Sequence, residues 1–216
     1  MAPGLFIAFE GPEGGGKSLQ VGLLAERLRS DGADVVATRE PGGTKVGDEI
    51  RAVLLGLGDY AILPETEVLL LAAARAQHVR EVITPALERG ALVVCDRFVD
   101  STFAYQGGGS GLDMSSLRTI QAFATGGLEP DIRFLLDLPV QVGLQRRHAE
   151  PASVNRIDLA DNAFHQRVRD AYLNLVSAAP RQWVVIDADA APDTVHETIW
   201  RELRRARANP RYVVTE

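Results

Sequence analysis

Short apolar runs alternate with longer amphipathic stretches along the chain. The apolar runs predict strands at Leu5–Phe9, Asp34–Thr38, Ala91–Cys95, Ile132–Leu138 and Trp183–Ile186. Apolar positions at helical spacing predict helices at about 18–30, 46–56, 65–89, 113–125, 139–149, 158–179 and 192–207. Because strands that alternate with helices form parallel sheets covered on both faces, the pattern predicts an α/β fold with a five-stranded parallel sheet flanked by helices.

A glycine-rich stretch follows the first predicted strand and opens the first predicted helix. It fits the pattern G-x-x-x-x-G-K-[ST], in which backbone N–H groups surround a phosphate, the lysine adds a cation and the hydroxyl can reach Mg²⁺. An accidental match is improbable, since the chain holds only two lysines, Lys17 and Lys45. The sequence therefore predicts a P-loop NTPase-type three-layer fold that binds nucleotide phosphates through Gly11, Pro12, Glu13, Gly14, Gly15, Gly16, Lys17 and Ser18.

Composition limits the partners and the compartment that we expect. The 216 residues, 46% of them hydrophobic and 24% charged, are typical of one globular domain spanning 1–216. A net charge of −6 argues against binding of polymeric nucleic acid, although an acidic protein can hold a basic nucleotide pocket. The chain has neither an apolar stretch near the ~20 residues of a membrane span nor a signal-peptide pattern, so we expect no membrane association. The single cysteine, Cys95, is compatible with a reducing, cytoplasmic compartment.

Charged residues and hydroxyls cluster where the predicted strands end. The second strand leads into Arg39 and Glu40, and the third leads into Asp96 and Arg97. In open parallel sheets, ligands bind outside the carboxyl ends of the strands. We therefore expect these side chains to share one site with the phosphate loop.

Together these segments resemble bacterial thymidylate kinases, in the same order and over nearly the whole chain. The resemblance lies in Glu10–Ser18, Thr38–Thr44, Ala73–Arg75, Asp96–Gly108 and Pro130–Asp131, of which the second and fourth blocks are the most diagnostic. It implies transfer of the γ-phosphoryl group from ATP to the 5′-phosphate of dTMP, giving dTDP, with Mg²⁺ as cofactor. It also implies a homodimer, which we expect to form through the apolar helix around 65–80.

The resemblance assigns roles in phosphoryl transfer. Two anionic groups must meet, so cations are needed around the acceptor as well as the donor. Arg39 and Arg97 match the positions that hold the acceptor phosphate, a task that suits a planar guanidinium. Ser18 and Asp96 match positions that face Mg²⁺. The alternative roles for Asp96 are orientation of Arg97 and capping of the next helix. Glu13 matches an acidic position near the acceptor's sugar and phosphate, with a solvated loop carboxylate as the alternative.

The resemblance also implies how the base is recognised. Arg75 matches an arginine that donates to the thymine carbonyl, and Tyr105 matches a tyrosine that crowds a ribose 2′-hydroxyl. The family commonly has phenylalanine where this chain has Leu71, and loss of that aromatic contact removes on the order of 1 kcal/mol. A deoxynucleoside monophosphate kinase with altered base preference therefore remains the alternative. The implied dTMP-binding residues are Glu13, Arg39, Leu71, Arg75, Arg97, Ser101, Thr102, Tyr105 and Gln106.

A lid segment is expected at about 146–158. His148 and Glu150 occupy positions where the family commonly has arginines, so the arginine that stabilises the transition state is either Arg147 or Arg156, or transfer is weak. A nucleotide-binding homologue with weak transfer activity is thus a second alternative. The implied catalytic residues are Lys17, Arg97, Arg39, Glu13, Arg147 and Arg156.

Overall fold

The computed structural model of the protein describes residues 4–58, 60–149 and 155–208. Its centre is a five-stranded sheet with the spatial order β2-β3-β1-β4-β5, in which every neighbouring pair is parallel. The strands are β1 (Leu5–Glu10), β2 (Val35–Arg39), β3 (Leu92–Asp96), β4 (Ile132–Asp137) and β5 (Trp183–Asp187). The predicted fold class is confirmed, and each strand boundary lies within one residue of its expected place.

Helices cover both faces of this sheet. The α-helices of the described residues are α1 (Lys17–Ser30), α2 (Lys45–Leu55), α3 (Pro64–His78), α4 (Thr84–Glu88), α5 (Val99–Thr102), α6 (Met114–Thr125), α7 (Val140–His148), α8 (Asn162–Ala178) and α9 (Pro192–Ala208). A π-helical turn, Val79–Ile83, joins α3 to α4, and another, Phe103–Gly109, extends α5. Within the part of the chain described, none of these helices combines the length and apolarity that crossing a bilayer requires.

The structure corrects one helix prediction and adds a helical stretch that the sequence did not predict. The helix predicted at 158–179 begins only at Asn162, because the Asp161 carboxylate accepts a hydrogen bond from the Phe164 N–H at 2.6 Å and caps it there. The helical stretch over 99–109 was missed, since its glycines carry no apolar periodicity. A Cβ on Gly108 would lie 2.4 Å from the Cβ of Ala171, so the missing side chain lets this stretch pack against α8.

The apolar core lies on both faces of the central strands. Ile7 and Phe9 of β1 belong to the cluster that packs under α1 and α9. Phe6 and Ala8, which alternate with them, belong to a second cluster with Ile83 on the opposite face. A strand buried on both faces reads as a continuous apolar run, which explains why the sequence predicted it.

The strand register sets where the site forms. Phe9 of β1 and Arg39 of β2 both pair with Asp96 of β3. Because the strands are parallel, the segments that follow these three residues leave the sheet at the same edge. The phosphate loop therefore lies beside the segment that begins at Arg97.

Candidate active site

The carboxyl ends of β1, β2 and β3 open into one cavity of about 780 Å³. Every site residue predicted from the sequence lines this cavity except Gly11 and Pro12. The carbonyl oxygens of those two residues instead accept hydrogen bonds from Lys17. The structure thus brings together segments that are far apart in the chain.

Backbone geometry keeps the phosphate loop clear of side chains. Gly11, Gly14 and Gly16 have φ angles of 137°, 73° and 76°, in the region that favours glycine. A Cβ on Gly14 would lie 2.2 Å from the carbonyl oxygen of Gly143, so the loop packs closely against α7. Over the described residues 16–20, the start of α1 has neither a side-chain cap nor an acidic side chain. Its backbone N–H groups are therefore left for an anion.

Lys17 lies in the phosphate loop, and the pKa of its ammonium group is lowered there. Its Nζ donates to the carbonyl oxygens of Gly11 at 3.0 Å and Pro12 at 2.7 Å. Burial lowers the pKa of Lys17 from 10.5 to about 8, and repulsion from Arg97 adds to the effect. Carbonyl dipoles replace water only in part, so a polyphosphate is the stronger partner for this cation.

Ser18 and Asp96 form the pair of oxygen donors expected for a cation. The Ser18 hydroxyl donates a hydrogen bond to the Asp96 carboxylate across the cavity wall. Among the described residues no three His, Cys, Asp or Glu side chains form a metal cluster. Mg²⁺ in phosphoryl-transfer sites uses one or two protein oxygens and completes its shell with water and substrate phosphates. The pair therefore fits the magnesium ion that the resemblance implies.

Arg97 follows β3 directly and is held by the loop. Its Nη1 donates to the Gly11 carbonyl at 3.1 Å, and its Nη2 donates to the Glu13 carboxylate at 2.8 Å. The Tyr105 hydroxyl donates to the same carboxylate, and the Arg97 guanidinium carbon lies 4.9 Å from the Tyr105 ring centroid. Burial alone would lower the pKa of Arg97, but Tyr105 and Glu13 outweigh it and raise that pKa well above its usual value. The guanidinium is therefore charged and oriented before any ligand binds.

Glu10 supports this group from behind the loop, and the sequence analysis did not assign it a role. Its carboxylate accepts hydrogen bonds from the Phe98 N–H at 2.8 Å, the Ser101 hydroxyl at 2.6 Å and the Tyr172 hydroxyl at 2.8 Å. Burial, reinforced by Asp100, raises the pKa of Glu10 from 4.5 to about 7. The sequence feature that could have identified Glu10 is a charged residue at the end of a strand that is otherwise apolar.

Two further arginines line the cavity beside Arg97. Arg39 is 58% exposed, and its Nη2 lies 3.8 Å from the Asp48 carboxylate. Arg51, which the sequence analysis missed, donates from Nη1 to the Pro41 carbonyl at 2.9 Å. Burial lowers the pKa of Arg51, and repulsion from Arg39 lowers it further. Three guanidinium groups facing one cavity favour a bound anion.

Arg75 is 2% exposed and forms a wall of the cavity away from the phosphate loop. Its Nε donates to the Glu40 carboxylate at 2.6 Å, and its Nη2 donates to the Phe98 carbonyl at 3.0 Å. Its Nη1 donates to the side-chain oxygens of Thr102 and Gln121. A guanidinium carries five N–H groups, so these contacts within the described residues leave one for a ligand.

Glu40, which the sequence analysis left without a role, is shared between Arg75 and a buried histidine. His78 Nδ1 lies 3.0 Å from Glu40 Oε1, and His78 Nε2 lies 2.7 Å from the Thr38 hydroxyl. The histidine is completely buried. This chain of contacts ties the end of β2 to α3 and fixes the guanidinium plane of Arg75.

Gln106 and Leu71 continue the wall next to Arg75. Gln106 Nε2 donates to Glu67 Oε1 at 2.5 Å. Gln106 Oε1 is buried and has no hydrogen-bond partner among the described residues. Leu71 presents an aliphatic side chain to the cavity, at the position where the family commonly has an aromatic ring.

Both lid arginines line the cavity, and each is paired with a carboxylate. Arg147 Nε and Nη2 donate to the two oxygens of Asp158 at 3.0 and 2.8 Å, a bidentate arrangement. Arg156 donates to the Leu54 carbonyl at 3.2 Å and to the Glu67 carboxylate, which places it beside α2 and α3.

The remaining positions of the lid segment are described only in part. His148 is the last residue of α7, whereas Glu150 lies outside the described residues. Arg146 donates from Nη1 to the Ala188 carbonyl at 2.7 Å and to the Gly14 carbonyl at 3.3 Å. Arg146 thus joins the phosphate loop to the connection between β5 and α9.

A parallel sheet whose first strand runs into a phosphate loop, opposite an arginine-rich wall in the same cavity, is the architecture of P-loop phosphotransferases. Comparison with known proteins identifies the family. The family model for thymidylate kinase matches residues 9–199. The chain therefore belongs to the thymidylate kinase family.

Individual relatives agree with that assignment over most of their length. The chain is 51% identical over 209 residues to the thymidylate kinase of Thermomicrobium roseum, covering 95% of this chain and 99% of the relative. It is 53% identical over 185 residues to a thymidylate kinase of Pseudomonas fluorescens, covering 86% and 88%. A Roseiflexus thymidylate kinase is 48% identical over 206 residues, covering 90% and 91%.

Proposed function

We propose that the protein transfers the γ-phosphoryl group of ATP, bound with Mg²⁺, to the 5′-phosphate of dTMP, giving ADP and dTDP. The observation that carries the proposal is a single cavity with the phosphate loop, a group of arginines and a polar, buried pocket wall. Family membership and relatives named thymidylate kinase support the same reaction.

The donor occupies the phosphate loop. The N–H groups at the start of α1 and the Lys17 ammonium bind its β- and γ-phosphates, and Lys17 exchanges its contacts with the Gly11 and Pro12 carbonyls for phosphate oxygens. Ser18 and Asp96 would hold Mg²⁺, which when bound would neutralise charge on the donor phosphates. The polyphosphate of the donor lies along the loop residues Glu13, Gly14, Gly15 and Gly16.

The acceptor phosphate is held by Arg97, Arg39 and Arg51. Arg97 is already oriented by Glu13 and the Gly11 carbonyl, whereas the more exposed Arg39 is free to adjust to the ligand. Holding two anions in line requires charge neutralisation more than covalent chemistry, so oriented guanidinium groups supply most of the catalysis. Arg147 is the lid arginine that we assign to the meeting phosphates, whereas Arg156 stays paired with Glu67 and the Leu54 carbonyl.

Thymine lies against Arg75, Leu71, Thr102 and Gln106, with the deoxyribose next to Tyr105. We assign the N–H that Arg75 retains to a carbonyl of the base. The Gln106 oxygen, which has no partner among the described residues, is assigned to a base N–H. Neither the altered base preference nor the weak transfer considered from the sequence is favoured by the relatives, which share the name thymidylate kinase. We do not propose either alternative.

Initial rates with MgATP and a panel of dTMP, dUMP, dCMP and dGMP test the proposal. We expect dTMP to give the highest kcat/KM and Lys17→Ala to lower kcat at least about a hundredfold, because the loop cation is lost. Folded wild-type protein that forms no dTDP at millimolar dTMP would exclude the proposed reaction.

Arg97→Ala tests whether Arg97 binds the acceptor dTMP and not the donor ATP. We expect KM for dTMP to rise about tenfold or more and KM for ATP to change little, because a charged hydrogen bond contributes about 1.5–3 kcal/mol. Arg118→Ala is the matched control, because Arg118 is exposed on α6 and is not among the residues that line the cavity. Unchanged dTMP kinetics in Arg97→Ala would contradict the acceptor assignment.

We also propose a homodimer in the cytoplasm. Leu69 on α3 is 60% exposed and Phe123 on α6 is 86% exposed, so neighbouring helices carry large apolar side chains on their outer faces. These residues lie in and beside the helix for which the family resemblance implies a dimer contact. The buried thiol of Cys95 is compatible with a reducing compartment.

A further inference from the structure

We propose that Glu67 selects the base of the acceptor nucleotide by fixing which way the Gln106 side-chain amide points, an inference that rests on the proposed function. Glu67 lies on α3 and Gln106 lies in the π-helical turn after α5. Both line the cavity beside Arg75, and they are 7% and 4% exposed. Nothing in the sequence singled out Glu67.

The amide of a glutamine can present either an oxygen or an NH₂ group to the same place, at nearly equal volume. A carboxylate has only acceptors, so it accepts one orientation and repels the other. Gln106 Nε2 faces Glu67 Oε1 at 2.5 Å, which leaves the amide oxygen as the group available to a ligand. That oxygen is buried and has no hydrogen-bond partner among the described residues.

Glu67 is itself held from a second side. Its other carboxylate oxygen, Oε2, accepts a hydrogen bond from Arg156 Nη2. The two contacts together leave Glu67 little rotational freedom. The orientation of Gln106 is therefore set by the tertiary structure before the nucleotide arrives.

This arrangement presents one donor and one acceptor to a base edge. Arg75 retains an N–H, and Gln106 offers a carbonyl oxygen. Thymine and uracil carry a carbonyl oxygen at C4 next to an N3–H, which complements that pair, whereas cytosine carries an amino group next to a bare ring nitrogen. With cytosine, the Arg75 N–H would meet the amino group and the Gln106 oxygen would meet the bare ring nitrogen. All four groups would then lack a hydrogen bond in a buried pocket.

Leu71, which we place against the face of the base, does not select among the pyrimidines, and neither would an aromatic ring at that position. An aliphatic side chain packs on any pyrimidine ring, so it does not distinguish thymine from cytosine. Discrimination then depends on the polar groups at the ring edge, and on what orients them.

Glu67→Gln tests the inference, with kcat/KM measured for dTMP, dUMP and dCMP. A glutamine at 67 presents either a donor or an acceptor, so it lets Gln106 turn over. We expect the dTMP-to-dCMP ratio of kcat/KM to fall about tenfold or more, while the dTMP-to-dUMP ratio stays within about twofold because both bases share the same edge. A merely structural role would lower all three rates together and leave both ratios unchanged.

Glu65→Gln is the matched control, since Glu65 lies on the first turn of the same helix and is exposed. Glu67→Ala, which admits water beside Gln106, serves as the second variant and should shift the same ratio. If every folded variant at 67 keeps the wild-type dTMP-to-dCMP ratio, the inference is overturned while the proposed function stands. If the wild-type protein itself does not prefer dTMP, both are overturned.

Discussion

Charged side chains are buried around the phosphate loop, and each is stabilised by specific neighbours. Arg97 is paired with Glu13, and Lys17 is bound to loop carbonyls. Glu10 accepts three hydrogen bonds, yet burial still raises its pKa to about 7. A carboxyl with a raised pKa favours the protonated form in the folded protein, so its charge costs stability near neutral pH.

Glu10→Gln should remove the contribution of Glu10 to the pH dependence of the free energy of unfolding. The folded protein holds a proton between about pH 4.5 and pH 7 that the unfolded chain has lost, so the wild-type free energy of unfolding falls as pH rises through this interval. Glutamine imitates the protonated form. We expect the variant, relative to wild type, to gain about 3 kcal/mol between pH 4.5 and pH 8 in urea unfolding.

Glu26→Gln, an exposed position on α1, is the control for this comparison. It should show no such pH-dependent difference from wild type. Parallel stability curves for wild type and Glu10→Gln across the interval would show that Glu10 stays ionised in the folded state.

At the scale of elements, the phosphate loop is shaped by the helix that it touches. Gly14 of the loop and Gly143 of α7 approach so closely that neither has room for a Cβ. A Cβ on Gly143 would lie 2.3 Å from the Glu13 carbonyl oxygen, and Glu13 holds both Arg97 and Tyr105. A glycine in the middle of α7 thus bears on the acceptor site as well as on the donor loop.

Gly143→Ala should therefore destabilise the protein, although alanine is usually preferred to glycine inside a helix. Alanine normally stabilises a helix interior by about 1 kcal/mol relative to glycine. Here we expect a loss of about 1–3 kcal/mol from the steric conflict, with a fall in kcat/KM for dTMP as Glu13 moves. Gly22→Ala in α1, where a Cβ would meet nothing within 4 Å, should be neutral or stabilising and fully active. Equal behaviour of the two variants in thermal unfolding would contradict the close packing.

At the scale of the whole molecule, the strand order decides which surfaces are used for ligands and which remain exposed. With β1 between β3 and β4, the phosphate loop, Arg97 and Asp137 all leave the same edge of the sheet. The outer faces of α3 and α6 lie away from α9, and they carry Leu69 and Phe123. These exposed apolar side chains are the feature that the proposed dimer explains.

Leu69→Glu combined with Phe123→Glu should convert a dimer into a monomer, since burial of two carboxylates in an apolar contact is costly. Light scattering of the purified protein measures the change in mass. Thr194→Glu on α9, an exposed position on the opposite face of the sheet, should leave the mass unchanged. A wild-type mass equal to that of one chain would refute the homodimer.

Particular segments show which parts of the fold and of the site the sequence could predict. The apolar runs of β1 and β3 and the glycine pattern of the loop are local features, so they predicted the strands, the phosphate loop and the α/β class. The helix at 99–109 was missed because its glycines are explained only by packing against α8. Arg75 and Gln106 matched a family pattern and Leu71 departed from it. The pattern predicted that all three belong to a site but not how they are held.

Local sequence thus determined the order of elements and the chemistry available at each strand end, because backbone preference and apolar periodicity act over a few residues. Tertiary structure decided which groups meet. The partnerships of Glu10 with Tyr172, Glu40 with His78, and Glu67 with Gln106 and Arg156 join residues distant in the chain. Such pairs depend on strand order and helix packing, and they set the charge and orientation of the side chains that sequence could only name.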